Sequence, residues 1–165
     1  MNTDPHRYSL DLEWRGDNTR TYDNYTREHS IRISGKPDLI ASADPMFRGD
    51  TALHNPEDLL LAALSGCHLL TYLALCARAR TNVIRYRDSV EGILLLTPDG
   101  GGHFTEVVLR PRVVVSDEAM IDRARQFHEE VHKYCFIARS VNFPVRCEAT
   151  VSVGRGTGPD QRYAE

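Results

Sequence analysis

The chain has no excess of positive charge. Its 165 residues carry 20 Lys and Arg against 23 Asp and Glu, a formal net charge of -3. Binding to a nucleic-acid backbone depends on clustered positive charge, so we expect no DNA or RNA partner. The hydrophobic fraction of 41% and the charged fraction of 26% are typical of a globular protein and exclude a disordered or fibrous one.

The N-terminus lacks the features of a secretory leader. Residues 1–7 contain no apolar core and no lipidation motif, and we therefore expect a cytoplasmic protein. The longest apolar stretch, residues 59–77, has about the length of a membrane span, but polar residues interrupt it and two arginines follow. We interpret it as a buried helix and expect no membrane partner.

The length is that of one domain with a single packed core, and the sequence has no internal repeat. We predict one domain over residues 1–153 and a flexible C-terminal tail over residues 154–165. The helix predicted over residues 59–77 is apolar on nearly every side, which indicates that protein surrounds it. One domain of this size does not readily cover so much apolar surface, so we expect an obligate homodimer.

Patterns in the first part of the chain predict strands followed by a helix. Residues 8–15 alternate apolar and polar side chains, as a half-buried strand does. Two further strands, at 29–33 and 39–41, would complete an antiparallel meander. Asn55 is suited to cap a helix, and Pro56 is suited to its first position, where no N–H is needed.

The second part of the chain predicts a hairpin, a helix and a last strand. Strands at 83–96 and 104–115 flank a glycine-rich turn, which allows a tight reversal. Ser116 is a candidate cap for a second helix that runs to about Tyr134. Apolar and polar side chains alternate again over residues 143–153, which predicts the last strand. Together these elements indicate an α+β fold.

Four cysteines remain to be explained: Cys67, Cys76, Cys135 and Cys147. In a cytoplasmic protein they are expected to be mostly reduced. Cys67 and Cys76 lie on opposite faces of the long predicted helix, about 13 Å apart along its axis, and cannot pair within it. Cys147 falls on the apolar face of the last strand, where a cysteine acts as a small hydrophobe.

Cys67 and Cys135 differ from the other two cysteines in their surroundings. Gly66 precedes Cys67 inside the helix, where a glycine costs about 1 kcal/mol relative to alanine. Either a ligand or chain approaches beside the thiol, or the helix packs closely there, and the sequence leaves both open. Cys135 follows the second helix, near the negative end of its dipole, which predicts the less acidic thiol.

A metal site is a competing interpretation of the second helix. His128, His132 and Cys135 follow each other at helical spacings of four and three, and these residue types bind zinc. No second cluster of ligands accompanies them in the sequence, so we favour a protein without metal or other cofactor.

Two cysteine segments resemble those of the OsmC/Ohr family, the osmotically induced protein C and organic hydroperoxide resistance proteins. They are residues 55–68, Asn-Pro-Glu-Asp-Leu-Leu-Leu-Ala-Ala-Leu-Ser-Gly-Cys-His, and residues 135–141, Cys-Phe-Ile-Ala-Arg-Ser-Val. The likeness extends over most of residues 8–153. Phe136 and Arg139 depart from other branches and indicate a divergent branch, for which a different substrate stays open.

The resemblance implies a fold and a reaction. The fold is OsmC-like, with antiparallel sheets wrapped around two long central helices in an intertwined homodimer. The reaction is reduction of an organic hydroperoxide, with hydrogen peroxide as a further candidate substrate. Cys67 is implied to attack the peroxide and Cys135 to resolve the sulfenic acid as a disulfide, which an external thiol or dithiol then reduces.

The resemblance also implies two residues that assist the reactive thiol. Glu57 corresponds directly to the family's glutamate. The family's arginine comes from the N-terminal strand region, and Arg20 is our first choice for it, followed by Arg27 and Arg15. The alternative is a non-catalytic protein of the same fold, in which a groove beside Cys67 binds an apolar metabolite.

Overall fold

The computed structural model of the chain describes residues 4–16 and 18–154. These residues form two compact units, one up to residue 60 and one from residue 61 onward. Of the predicted C-terminal tail, residues 155–165 lie outside the described residues.

The first unit contains the predicted antiparallel meander. Its three strands pair in sequence order, with Leu12 opposite Ile31 and Ile31 opposite Leu39. A short 3-10 helix, Pro45–Phe47, follows the sheet. The strands are β1 Asp11–Trp14, β2 His29–Arg32 and β3 Leu39–Ala41.

The long helix α1, Pro56–Arg78, starts where the sequence predicts. Asn55 Oδ1 accepts a hydrogen bond from the N–H of Asp58 at 2.8 Å, and the N–H of Asn55 donates to Asp58 Oδ2 at 3.3 Å. This reciprocal pair satisfies backbone groups that the first turn of a helix leaves free. Glu57 and Asp58 also place negative charge at the positive end of the helix dipole.

Helix α1 is not buried on every side within one chain. Its buried residues form a single stripe at intervals of four: Leu64, His68, Tyr72 and Cys76. Leu70, on another face, is 69% exposed. By length and composition alone the helix is long and apolar enough to cross a membrane. The homodimer that the sequence predicts as the cover of this helix stays a prediction.

The second unit has two three-stranded sheets in which every long predicted strand is broken in two. The breaks align: Arg110 N–H donates to the carbonyl of Ser89 at 3.2 Å, and Glu148 N–H donates to the carbonyl of Leu109 at 2.8 Å. Pro111 has no N–H to donate to the ladder, so the strand that precedes it ends at Leu109. The strands are β4 Val83–Arg87, β5 Val90–Leu96, β6 Gly102–Leu109, β7 Arg112–Val115, β8 Val145–Cys147 and β9 Thr150–Val153.

The α+β fold class is confirmed, but the sheets are not all antiparallel. The orders are β4-β7-β9 and β5-β6-β8, and β9 and β8 each pair in parallel with their neighbour. The reason is the connection: residues 116–144, which include the second helix, carry the chain back before it enters β8. A crossover of this length permits parallel pairing, whereas a tight turn does not.

The second helix is shorter than predicted, and a 3-10 turn capped by Asp117 precedes it. Asp117, not Ser116, accepts a hydrogen bond through its carboxylate, from the N–H of Ala119 at 3.0 Å. A 3-10 turn, Glu118–Met120, then leads into α2, Ile121–Val131. Among the described residues α1 is the long helix, and the intertwined homodimer with two long central helices stays a prediction.

The core of the second unit lies between these helices and the β4-β7-β9 sheet. Helix α1 contributes Tyr72 and Cys76, and α2 contributes its apolar side. Cys135 belongs to the same cluster. The remaining buried members are Val113, Val115, Ala124, Phe127, Val131 and Val151.

Candidate functional site

The structure brings Cys67 and Cys135 together. The Cys135 thiol donates a hydrogen bond to Cys67 Sγ at 2.8 Å, across 68 residues of sequence. Both are free cysteines; Cys67 is half-buried on α1, and Cys135 is 1% exposed in the turn after α2. Because the two thiols are in contact and one of them is accessible, a two-electron oxidation can convert the pair into a disulfide.

The Cys135 thiol is less acidic than an ordinary cysteine. Burial, and then its hydrogen bond to Cys67, raise the pKa of Cys135 to about 11, while hydrogen bonds from the backbone of Ala138 and Ile137 act in the opposite direction. The raised pKa agrees with the sequence prediction of a less acidic thiol, but the cause differs from the predicted one. Helix α2 ends at Val131, four residues earlier, so desolvation replaces the helix dipole as the main effect.

Gly66, the residue before Cys67, has room for a side chain. A Cβ added at Gly66 would meet no atom within 4 Å in the described part of the chain. The two interpretations of this glycine from the sequence, the approach of a ligand or chain beside the thiol and close helix packing, both stay open.

Cys76 and Cys147 have different environments. Cys76 is 1% exposed in the core, and burial raises the pKa of its thiol. Cys147 was predicted to pack in the core, but it is exposed, because β8 is an edge strand of its sheet. Its Sγ lies 3.7 Å from His68 Nε2 and 3.8 Å from His128 Nδ1.

His68 and His128 form a buried pair that the sequence did not predict. His68 Nε2 lies 3.0 Å from His128 Nδ1, and the Tyr72 ring stacks on His128 with centroids 4.0 Å apart. Burial lowers the pKa of His68 to about 4 and that of His128 to about 3. Both imidazoles are therefore neutral at pH 7. In the sequence His68 is a polar interruption of the apolar run and His128 is a candidate metal ligand, but their pairing across 60 residues was not predictable.

His68, His128, Cys135 and Cys147 line a common cavity of about 310 Å³. The candidate metal ligands of the second helix, His128, His132 and Cys135, all line it. However, among the described residues the side chains whose ligand atoms lie within 4.8 Å of one another are His68, His128 and Cys147. The full lining is Leu64, His68, Leu109, His128, Glu129, Val131, His132, Cys135, Ala138, Val145 and Cys147.

The predicted assisting residues lie in the first unit. Glu57 is half-buried in the first turn of α1. Arg20 is exposed, and its backbone N–H donates to Asn18 Oδ1 at 2.9 Å. Their roles toward Cys67 stay predictions.

The alternative arginines are engaged within the first unit. The Arg27 guanidinium donates to the carbonyls of Tyr25 and Tyr22, both at 2.5 Å, and lies 3.8 Å from the centroid of the Tyr25 ring. Arg15 forms an ion pair with Glu13 at 2.7 Å. Of the three candidate arginines, Arg20 has the guanidinium with the fewest such contacts among the described residues.

Comparison with known proteins decides the family. The OsmC-like protein family matches residues 49–150, a range that contains both helices and both cysteines of the pair. The chain belongs to the OsmC-like family. The resemblance drawn from the two cysteine segments is confirmed.

One solved structure of the same family agrees with this assignment, and two further proteins are similar to the chain. An OsmC-like protein of unknown function from Vibrio cholerae is 32% identical, with a TM-score of 0.79 over 88% of this chain and 100% of that one. Protein YmaD of Bacillus subtilis, itself uncharacterized, is 28% identical over 105 residues, 61% of this chain and 69% of YmaD. An organic hydroperoxide resistance protein from Legionella pneumophila shares the fold, with 17% identity and a TM-score of 0.65 over 90% and 100% of the two chains.

Proposed function

We propose that this OsmC-like protein is a cytoplasmic, thiol-dependent peroxidase that reduces organic hydroperoxides without a cofactor. The observation that carries the proposal is the 2.8 Å contact between the sulfur atoms of Cys67 and Cys135. The substrate class is supported by neighbours of the same fold that are named organic hydroperoxide resistance proteins.

Cys67 performs the first step. Its thiolate attacks one peroxide oxygen, an S–O bond forms and the O–O bond breaks. The leaving alkoxide takes up a proton and departs as the alcohol, so the peroxide is reduced by two electrons and Cys67 is oxidised to a sulfenic acid. Because Cys67 is the half-buried thiol of the pair and has open space beside Gly66, a peroxide reaches it more readily than it reaches Cys135.

Cys135 performs the second step. Its sulfur attacks Cys67 sulfur, an S–S bond forms, and the hydroxyl of the sulfenic acid leaves as water with the Cys135 proton. An external thiol or dithiol returns both cysteines to thiols by exchange. The raised pKa of Cys135 keeps that thiol protonated and able to donate to Cys67 at neutral pH, which supports this division of roles.

Glu57 and an arginine, with Arg20 as first choice, are proposed to orient the reactive thiol from a partner subunit. A helix rises about 1.5 Å per residue, so the ten residues from Glu57 to Cys67 correspond to roughly 15 Å of α1. A carboxylate at that distance along the same helix does not contact the thiol. A homodimer would supply the partner subunit's Glu57 and also cover exposed apolar side chains of α1.

The homodimer is testable by sedimentation. We expect the protein to sediment as a dimer at micromolar concentration, because apolar area of α1 is exposed in the single chain. Leu70→Glu, which places a charge on this exposed face, is expected to shift the protein toward monomer. Leu70→Met, which conserves size and polarity, is the matched control and should stay dimeric. A well-folded wild-type monomer at micromolar concentration would contradict the proposal.

The redox pairing is testable by peptide mapping. One equivalent of cumene hydroperoxide, added to fully reduced protein, should produce one intramolecular disulfide between Cys67 and Cys135. Mass spectrometry of the alkylated digest identifies the bridge. A bridge to Cys76 or Cys147, or an unmodified Cys67, would show that the chemistry belongs to other residues.

A non-catalytic binding protein is the second candidate. The cavity of about 310 Å³ has the size of small-ligand pockets, which start near roughly 300 Å³. In that case the cysteines would be packing groups and peroxide turnover would not depend on Cys67. The substitution of Cys67 described in the Discussion separates the two functions.

A further inference from the structure

The ligand atoms of His68, His128 and Cys147 have the spacing of a zinc site. Tetrahedral zinc, with Zn–N near 2.05 Å and Zn–S near 2.3 Å, sets about 3.3 Å between two nitrogens and about 3.6 Å between a nitrogen and the sulfur. The corresponding distances here are 3.0 Å, 3.7 Å and 3.8 Å. All three pairs agree within a few tenths of an ångström, so one ion fits between the atoms with only small shifts.

The two imidazoles are ready to coordinate. A neutral imidazole coordinates a metal through the ring nitrogen that carries no proton, and His68 Nε2 and His128 Nδ1 lie 3.0 Å apart. Their positions are set by two different helices, α1 and α2, and the Tyr72 ring holds His128 by stacking. Coordination through Nδ1 leaves the His128 proton on Nε2, a buried atom without a hydrogen-bond partner among the described residues.

The local charge favours a divalent cation. Cys147 would bind as a thiolate, with one negative charge. The Asp88 carboxylate interacts electrostatically with both Cys147 and His68, and it supplies a second negative charge. Asp88 is itself held in place, since it accepts hydrogen bonds from Ser65 Oγ at 2.6 Å and from the N–H of Arg110 at 2.9 Å. Cys147 and Asp88 together place two negative charges beside the cation, and Glu148 adds to the negative field at Cys147.

We propose that His68, His128 and Cys147 bind one divalent cation of the Zn²⁺ type. Three protein ligands leave the fourth tetrahedral position to a water or a small molecule, and all three line the same cavity. Cys135 also lines this cavity, so the ion would lie near the resolving thiol without using it as a ligand. The site goes beyond the proposed peroxidase function and does not depend on it.

The experiment uses tag-free full-length protein, stripped with EDTA and kept reduced with a phosphine. Zn²⁺ is added in competition with a chromophoric chelator, and Co²⁺ is added separately as a spectroscopic probe. We expect one equivalent of Zn²⁺ per chain, a rise in Tm with Zn²⁺, and a thiolate-to-cobalt charge-transfer band. Cys147→Ala should weaken Zn²⁺ binding by at least about 100-fold, since loss of even an outer-shell partner costs about 10- to 100-fold. It should also abolish the charge-transfer band.

Two matched variants identify the site. His132→Ala removes the other histidine of the cavity, and Cys67→Ser removes one thiol of the redox pair; both should bind Zn²⁺ as the wild type does. Cys147 is exposed, so its substitution is expected to leave the fold intact, which circular dichroism in EDTA verifies. The proposal is overturned by absence of stoichiometric Zn²⁺ binding to the wild type, by undiminished binding in Cys147→Ala, or by loss of binding in either control.

Discussion

Replacing Cys67 by serine is expected to lower thiol-dependent turnover of cumene hydroperoxide by at least about 10³-fold, because the reaction loses its nucleophile. A serine hydroxyl is not ionised at neutral pH and does not form a sulfenic acid. The measurement is formation of the alcohol product under excess dithiol, repeated with hydrogen peroxide to compare substrates. Equal rates in wild type and Cys67→Ser would exclude the peroxidase and favour the binding protein.

Cys76→Ala is the matched control for that substitution. Cys76 lies nine residues further along α1, is a buried member of the core and has no proposed role in the reaction. We expect normal turnover and a loss of stability of about 1 kcal/mol, from the small cavity that the missing sulfur leaves. A loss of turnover equal to that of Cys67→Ser, in a folded protein, would show that the effect is not specific to the proposed nucleophile.

Replacing Cys135 by serine is expected to change the product of oxidation almost completely. With excess peroxide and no added thiol, the wild type should stop at the Cys67–Cys135 disulfide. In Cys135→Ser no thiol condenses with the Cys67 sulfenic acid, which should therefore proceed to sulfinic and sulfonic acid. Mass spectrometry measures both outcomes, and a sulfenic-acid trapping reagent captures the first product after one equivalent of peroxide.

The same experiment contains its own control. Cys76→Ala should yield the wild-type disulfide under these conditions, because both members of the pair remain. Circular dichroism verifies that Cys135→Ser is folded, since Cys135 is a core residue and a serine hydroxyl there is without an assured partner. If Cys135→Ser gives the same products as the wild type, Cys135 is not the resolving cysteine.

Features that depend on neighbouring residues were predictable from the sequence. The cap at Asn55, the start of α1 at Pro56 and the antiparallel meander all follow from local hydrogen bonding and from the alternation of side chains. The two cysteine segments identified the family before any fold was known. The predicted cap Ser116 is wrong, because Asp117 caps a 3-10 turn that precedes the second helix, and α2 itself starts without a side-chain cap.

Features that depend on distant segments were not predictable from local patterns. Three strands that the sequence predicts as continuous are each interrupted, near Ser89, Pro111 and Glu148. Hydrogen bonds between the chain segments at these interruptions show that the three lie side by side. The parallel entry of β8 and β9 follows from the long connection that precedes them. An alternation of side chains has the same form in parallel and antiparallel strands, so it carries no information on direction.

By itself the sequence determined the chemistry available to this protein: its local elements, its family and the two cysteines that the proposed reaction uses. Tertiary structure decided which groups meet. It placed Cys67 against Cys135, and it took Cys147 out of the core to join a buried histidine pair 60 residues apart. The physical reason is range: caps and periodicity act over a few residues, whereas contacts between side chains on separate elements exist only after those elements have packed.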